Sequence, residues 1–384
     1  MLYIHAFSAT ASCGKGCREL RQALLEDRPG LTPWAGPLST HVGAVSGLDE
    51  IRLPERLRHF DCRNNRLAEM ALRLDQFEAA VQATAGRFGA SRIGLIVGTS
   101  SSGIATLEET YSRKRNEPCD PADRLGDTFE LHATTRYLGQ RLPIAGPAIT
   151  VSSACSSSAQ SLALAHQWLE QKWIDAAVVA GIDSLCMTTL FGFRALNLIT
   201  PTVCRPFDRA RAGINLGEAA ALMLVSGQPA PWRLAGYGES SDAYHITAPH
   251  PDGEGAWLAM SRALAMAGIR PTDIGYIHAH GTGTRLNDAS EDRAISRLFP
   301  RETPVSSTKG WTGHTLGAAG MMGALFSLLT LDSGFLPRTL NTQECDPSLR
   351  SRILLHHEHA HPHYVLSNAF GFGGNNCALI FSGA

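Results

Sequence analysis

One cysteine and two histidines of this chain stand where nucleophilic and proton-transfer chemistry could be done. In AITVSSACSSSAQSLALAHQWLEQ a β-branched strand runs straight into Cys155, and a helical pattern begins within a residue or two. A cysteine on such a strand-to-helix turn lies at the positive end of a helix dipole, which lowers the thiol pKa and favours the thiolate. The N–H groups of that first turn can also hold an oxyanion. A cysteine buried only as packing is the competing reading, and the local sequence leaves both open. His280 in IHAHGTGTRLND and His314 in SSTKGWTGHTLGAAG lie in glycine- and threonine-rich stretches at strand ends. Loops after strands are where open α/β sheets hold ligands, and a histidine there can donate to a carbonyl or move a proton. With 15 histidines in the chain, either alone carries little weight. Two of them in similar loops, together with a helix-start cysteine, make the stronger case.

Strands must end where these residues begin. The runs RIGLIVGTSSSG (92–103), AITVSSACSSS (148–158), DAAVVAGIDS (175–184) and AALMLVSG (220–227) are apolar, short and closed by small residues, the pattern of buried strands. RLAEMALRLDQFEAAVQATAG and SSAQSLALAHQWLEQK have helical spacing. The alternation predicts an α/β fold with a mostly parallel sheet covered on both faces. GQPAPWR (227–233) reads as a connection, which divides the chain into 1–228 with the thiol and 229–384 with the two histidines. The second part holds PWRLAGYGES, the helix EGAWLAMSRALAMAG, the strands DIGYIHAHGTGT and TPVSSTKG, and a hairpin-like pair, HYVLSNAFG and NNCALIFSG. No internal identity marks a duplication.

Composition sets the bounds. A chain of 384 residues exceeds what one core usually supports, so two domains are expected. With 34 Lys+Arg against 35 Asp+Glu, no global field recruits nucleic acid or an anionic membrane. Nine cysteines, an odd and scattered set, do not form a paired disulfide framework and point to a reducing cytoplasm. The opening MLYIHAFSATASCGKGC has no signal-peptide pattern, and no uninterrupted apolar window of membrane-spanning length is expected. HHEHAHPHYV brings together His356, His357, His359, His361 and His363, but no cysteine or carboxylate set completes a tetrahedral site, so no metal is expected.

In order along the chain, VSSACSSS, RPFDRARAGINLGEAAA (205–221), HAHGTGT, SSTKGWTGHTLGAAG and LSNAFGFGGNN make it resemble an elongating β-ketoacyl-acyl carrier protein synthase of the thiolase superfamily. The resemblance covers nearly the whole length. It implies a thiolase-like fold, two βαβ-rich halves in a five-layer αβαβα sandwich, normally dimeric. It implies that Cys155 accepts an acyl chain from a carrier-protein thioester, that His280 and His314 hold the malonyl carbonyl, and that the N–H groups of Cys155 and Phe372 form the oxyanion hole. By the same resemblance Lys309 and Glu291 support the histidines, Thr282 and Thr284 bind the phosphopantetheine arm, and Phe370 and Phe372 form a movable gate. No cofactor is bound permanently; the phosphopantetheine comes with the acyl carrier protein. Read without the family, Lys309 is a solvated loop lysine and Glu291 part of a helix-surface pair with Arg293 or another neighbour.

The chain departs from the family at Gly323, where a glutamate is usual, and at Asn375, where threonine is usual. Its short start and the segment DCRNNRL (61–67) are similar to the catalytic ketosynthases of aryl polyene biosynthesis, which implies a homodimer or a heterodimer with a chain-length factor. Primary fatty-acid elongation and a non-catalytic chain-length-factor-like scaffold are the alternatives; scaffolds usually lack the cysteine kept here. Thiolases use a second cysteine and initiating synthases an asparagine where this chain has the His280 and His314 pair. Cys186, Leu190 and Phe193 are candidates for the acyl tunnel wall, and Arg205, Arg209 and Arg211 for an acidic carrier protein.

Overall fold

A computed structural model describes residues 1–114 and 125–384. Eleven strands carry the fold: β1 (Leu2–Ala11), β2 (Ile93–Gly98), β3 (Ala148–Val151), β4 (Ala176–Asp183), β5 (Ala219–Ser226), β6 (Trp232–Ser241), β7 (Ile274–His278), β8 (Pro304–Ser306), β9 (Arg352–Ile353), β10 (Tyr364–Gly371) and β11 (Asn375–Gly383). Their order across the sheet is β9-β8-β7-β10-β11-β6-β1-β5-β4-β2-β3. β2, β4 and β5 are buried at every position, as expected of apolar runs covered on both faces.

Helices α1 (Gly16–Leu25), α2 (Arg63–Leu72), α3 (Phe77–Phe88), α4 (Ala133–Arg141), α5 (Ser157–Glu170), α6 (Met187–Ala195), α7 (Glu254–Ala267), α8 (Arg285–Leu298), α9 (Lys309–Thr312) and α10 (Ala319–Ser333) complete the layers. α2, α3 and α4 cover β2, β4 and β5 from outside. α7 and α8 cover the second half. α5 and α10 form the middle layer, packed with both halves of the sheet. The arrangement is the five-layer thiolase-like sandwich. α10 is apolar all round because sheet faces it on both sides. The segment Leu316–Ser333 that contains it would pass for a membrane span by length and composition, yet it is mostly buried inside this middle layer.

The sheet is less parallel than the strand–helix alternation predicts. Parallel pairs occupy its two flanks, whereas β4–β5, β5–β1, β1–β6, β6–β11 and β11–β10 are antiparallel. For the last of these pairs the reason is local: only Phe372–Gly374 separates β10 from β11, and so short a link can only reverse the chain. The helical stretch over 66–86 is likewise two helices. Asp75 and Gln76 break it with φ of 51° and 56°, and the Asp75 carboxylate accepts the Cys17 N–H at 3.2 and 3.0 Å in the first turn of α1. An anion at a helix N-terminus offsets the break.

Two glycines set how closely the middle layer approaches. Gly98 and Gly181 are partners on β2 and β4. A Cβ on Gly98 would fall 2.5 Å from Ser158 Cα, and one on Gly181 would fall 2.6 Å from Ser158 Cβ and 2.7 Å from Met321 Cβ. Ser158 lies in the first turn of α5 and accepts the Met321 N–H at 2.9 Å. The start of α5, and Cys155 with it, is therefore seated on bare backbone. Gly181→Ala is expected to lose about 1–3 kcal/mol through overpacking, read as a lower midpoint in urea unfolding with an unchanged slope.

Candidate active site

Cys155 is held by an elbow. Ala154 has a φ of 51°, a left-handed conformation that costs a non-glycine residue roughly 1 kcal/mol. The Ser157 hydroxyl offsets this: it donates to the Ala154 carbonyl at 2.5 Å and accepts the Ser153 N–H at 2.9 Å. The thiol consequently projects from the turn between β3 and α5.

His280 follows β7 by two residues and is gripped at both backbone ends. Its N–H and that of Gly281 donate to the two carboxylate oxygens of Glu291 at 2.8 Å each, and its carbonyl accepts from Lys309 Nζ. Asn368 Nδ2 also donates to Glu291 at 3.0 Å. Lys309 Nζ lies 3.4 Å from His280 Nδ1. An ammonium only donates, so this nitrogen is an acceptor and the ring proton is on Nε2. His314 reaches the same tautomer differently: its Nδ1 accepts the Leu316 N–H at 3.2 Å, which Leu316 presents with a φ of 52°. The two rings are 5.3 Å apart at 83°.

Cys155, His280, His314, Thr282, Thr284, Phe370 and Phe372 line one cavity of about 280 Å³. Thr282 and Thr284 share a hydroxyl contact of 2.9 Å, and the Thr284 side chain caps α8. The Phe370 ring is 5.8 Å from His280, and the Phe372 ring 5.4 Å from Phe193. Lys309 and Glu291 lie behind the histidines, at 6% and 1% exposure. Neither is the solvated surface charge that the family-free reading describes. Arg293 turns instead to the Pro251 carbonyl at 2.5 Å.

Burial governs the electrostatics. Desolvation, reinforced by the Lys309 charge, holds His280 and His314 far below the usual imidazole range, so both rings are neutral. Desolvation raises Glu291, against the donors on its oxygens, and lowers Lys309. The Cys155 thiol is pushed up to about 12 by burial, opposed by the Lys309 cation and the Phe372 N–H. The lowered pKa expected of a cysteine at a helix mouth is thus overturned, since loss of water outweighs the Lys309 charge and the backbone N–H groups.

Of the remaining candidates, Phe193 lines the cavity, whereas Leu190 packs with Ile199, Ile214 and Leu216, and Cys186 Sγ meets Thr189 Oγ1 at 3.1 Å. Arg211 is 3% exposed between Asp288 and Asp346, at 3.6 and 2.7 Å, so it cannot meet a partner. Arg209 pairs with Glu344 at 2.6 Å. His357 contacts Asp27 at 3.0 Å, His357 and His359 flank Phe335, and the His361 ring covers Gly334. Asn375 donates to the Phe372 carbonyl at 3.4 Å. At Gly323 a Cβ would fall 2.7 Å from Ser367 Oγ and 3.0 Å from His278 Nδ1. The eight described cysteines are free; Cys119 lies outside the described residues.

Asp183 and Asn368 escaped the sequence reading. Asp183, at the end of β4, accepts from Thr99 Oγ1 at 2.6 Å, from Ser100 and Ser101, and from Gly317 N at 2.6 Å, which anchors the loop behind His314. An aspartate closing an apolar strand, with serines closing its neighbour, was the available signal.

A thiol and two neutral imidazoles sharing a pocket between the halves of a five-layer sandwich define a condensing enzyme of the thiolase-like class. Residues 70–230 match the N-terminal domain model of β-ketoacyl synthases and residues 233–343 the C-terminal one. The chain is 30% identical to 3-oxoacyl-[acyl-carrier-protein] synthase 2 of Staphylococcus aureus over 91% of its own length and 96% of that protein's. It is 38% identical, with a TM-score of 0.94, to the ketosynthase ApeO of Xenorhabdus doucetiae, solved in complex with its chain length factor ApeC; 100% and 98% of the two chains are covered. The ishigamide ketosynthase/chain length factor is 26% identical at a TM-score of 0.89, covering 99% of this chain and 98% of that one. The chain belongs to the β-ketoacyl synthase family, and is an acyltransferase of the ketosynthase type.

Because the Lys309 cation opposes the rise of the Cys155 pKa, Lys309→Met is expected to raise it further. Iodoacetamide alkylation of Cys155 at pH 8 should slow about tenfold, the equivalent of one pKa unit. A rate unchanged across the pH profile would show that the two groups do not communicate.

Proposed function

We propose that the chain forms β-ketoacyl-acyl carrier protein by decarboxylative Claisen condensation, with Cys155 as nucleophile. The observation that carries this reading is the shared cavity in which both histidines have Nδ1 engaged and Nε2–H free to donate. In the first half-reaction Cys155 sulfur attacks the acyl-carrier thioester, the bond to the phosphopantetheine sulfur breaks, and that thiol leaves with the Cys155 proton. The N–H groups of Cys155 and Phe372 hold the tetrahedral oxyanion. In the second, malonyl-acyl carrier protein places its thioester oxygen against Nε2–H of His280 and His314. The bond from its methylene carbon to the carboxylate breaks, carbon dioxide departs, and the electron pair enters the enolate that the two imidazoles stabilise. The enolate carbon attacks the acyl-Cys155 carbonyl, and the thiolate is expelled to restore the enzyme. Thr282 and Thr284 hold the phosphopantetheine arm and Phe370 and Phe372 gate its entry. Neutral imidazoles suit this role, since a protonated ring would be costly in so dry a site.

The same reading makes the chain the catalytic subunit of a pair formed with a chain-length factor in aryl polyene or related polyketide biosynthesis, in the cytoplasm. It is supported by the likeness to ApeO, by Cys155, and by free cysteines that suit a reducing compartment. Among the described residues β3 ends the sheet; Ile149 on it and Leu131 and Phe129 just before the helix that packs on it are 37–47% exposed. A partner subunit would cover such a face.

Incubation with acyl-carrier protein is expected to add the acyl mass to Cys155, and Cys155→Ala to abolish it. His280→Ala and His314→Ala should keep acylation while malonyl decarboxylation falls roughly 10²–10³-fold, as when an oxyanion donor is removed. An acyl adduct persisting in Cys155→Ala would overturn the assignment. Ile149→Lys combined with Leu131→Glu is expected to release the co-purified partner subunit, read by size-exclusion chromatography.

A further inference from the structure

His278 ends β7 two residues before His280, is 5% exposed, and has none of the roles assigned above. Its Nε2 lies 3.0 Å from Thr308 Oγ1, and its ring stacks on Phe326 of α10 at 6.1 Å and 23°. Its Nδ1 is buried without a partner among the described residues. That nitrogen faces Gly323, where a Cβ would stand 3.0 Å away. The ring thus fills space that only a glycine leaves open, inside a helix where glycine costs about 1 kcal/mol relative to alanine. Thr308 immediately precedes Lys309 at the N-terminal end of α9, and its side chain makes no capping bond there. The His278–Thr308 bond therefore ties the strand end that carries His280 to the turn that carries Lys309, where Nζ reaches back to His280.

We propose that His278 is a positioning residue for the decarboxylation half-reaction: through Thr308 it holds the turn that aims Lys309 at His280, and Gly323 supplies the room its ring requires. The proposal rests on the ketosynthase reading above. His278 does not line the cavity, so its influence passes through His280. When Lys309 drifts from Nδ1, the ring is free to take the other tautomer, and Nε2–H is withdrawn from the developing enolate. Acyl transfer to Cys155, which uses the N–H groups of Cys155 and Phe372, depends less on this contact.

The test measures, by single turnover, acyl transfer to Cys155 and decarboxylation of malonyl-acyl carrier protein in wild type, His278→Leu, His278→Gln and Thr308→Val. In His278→Leu and Thr308→Val the ratio of decarboxylation to acyl transfer is expected to fall roughly tenfold or more, the usual scale for removing a supporting hydrogen bond. His278→Gln can return an N–H near the place of Nε2 and should recover most of the ratio. The double variant should be no worse than the poorer single one. A wild-type ratio in folded His278→Leu and Thr308→Val overturns the proposal, as does equal loss of both steps, which marks a merely structural role. Should His278→Leu not fold, Thr308→Val, which keeps the imidazole, decides alone. A wild-type protein that accepts no acyl group would instead overturn the ketosynthase reading itself.

Discussion

The two-ended grip on the His280 backbone is the constraint on which the rest depends. Its N–H is held by Glu291 and its carbonyl by Lys309, so one peptide segment lies between a buried anion and a buried cation. An isolated charge at that depth would neutralise, and both groups are pulled in that direction by burial. Three donors on the Glu291 oxygens, from His280, Gly281 and Asn368, favour the ionised carboxylate and oppose the pull of burial. With that charge fixed, Lys309 has reason to remain near His280 Nδ1, and the imidazole tautomer follows. A surface lysine and a surface glutamate could not fix a tautomer, because water would compete for every bond.

The architecture exists to keep that cluster dry and in register with the thiol. Cys155 comes from one half of the sheet and the histidines from the other, joined through the β1–β6 pairing and through the middle layer. Gly98 and Gly181 let α5 rest directly on β2 and β4, while the Ser158–Met321 bond locks α5 to α10. Asp183 then ties the strand beneath α5 to the loop behind His314. Interiors packed at crystal density transmit such placements with little slack, so a methyl group at Gly181 is felt at the elbow of Cys155.

Much of this was legible in the sequence, for identifiable reasons. Strands such as 176–183 and 219–226 are apolar almost to their last residue, a signal that survives without tertiary information, and Cys155 and His280 stood just past such runs, whereas His314 follows the short helix α9 rather than a strand. The antiparallel centre of the sheet was not legible, since strand pairing is decided by contacts between distant segments such as β1 and β6. The break at Asp75 was hidden because its cause, the N-terminus of α1, is 58 residues away in the chain. The thiol pKa went the wrong way because a helix mouth can be read from local residues and burial cannot. Arg211, one of a run of arginines, gave no sign that two aspartates from elsewhere enclose it.

Two departures from the family pattern become intelligible as pairs. Gly323 taken alone reads as a lost carboxylate; beside His278 it is the space an imidazole needs. Asn375 likewise contacts the carbonyl of Phe372, the residue whose ring packs on Phe193 and whose N–H faces the Cys155 sulfur. One residue therefore shapes the cavity wall with its side chain and the thiol's field with its backbone. The Phe372 backbone and the burial of Cys155 thus act in opposite directions on one thiol, and burial prevails. A thiol kept protonated by burial is protected from alkylation and oxidation, both of which require the thiolate.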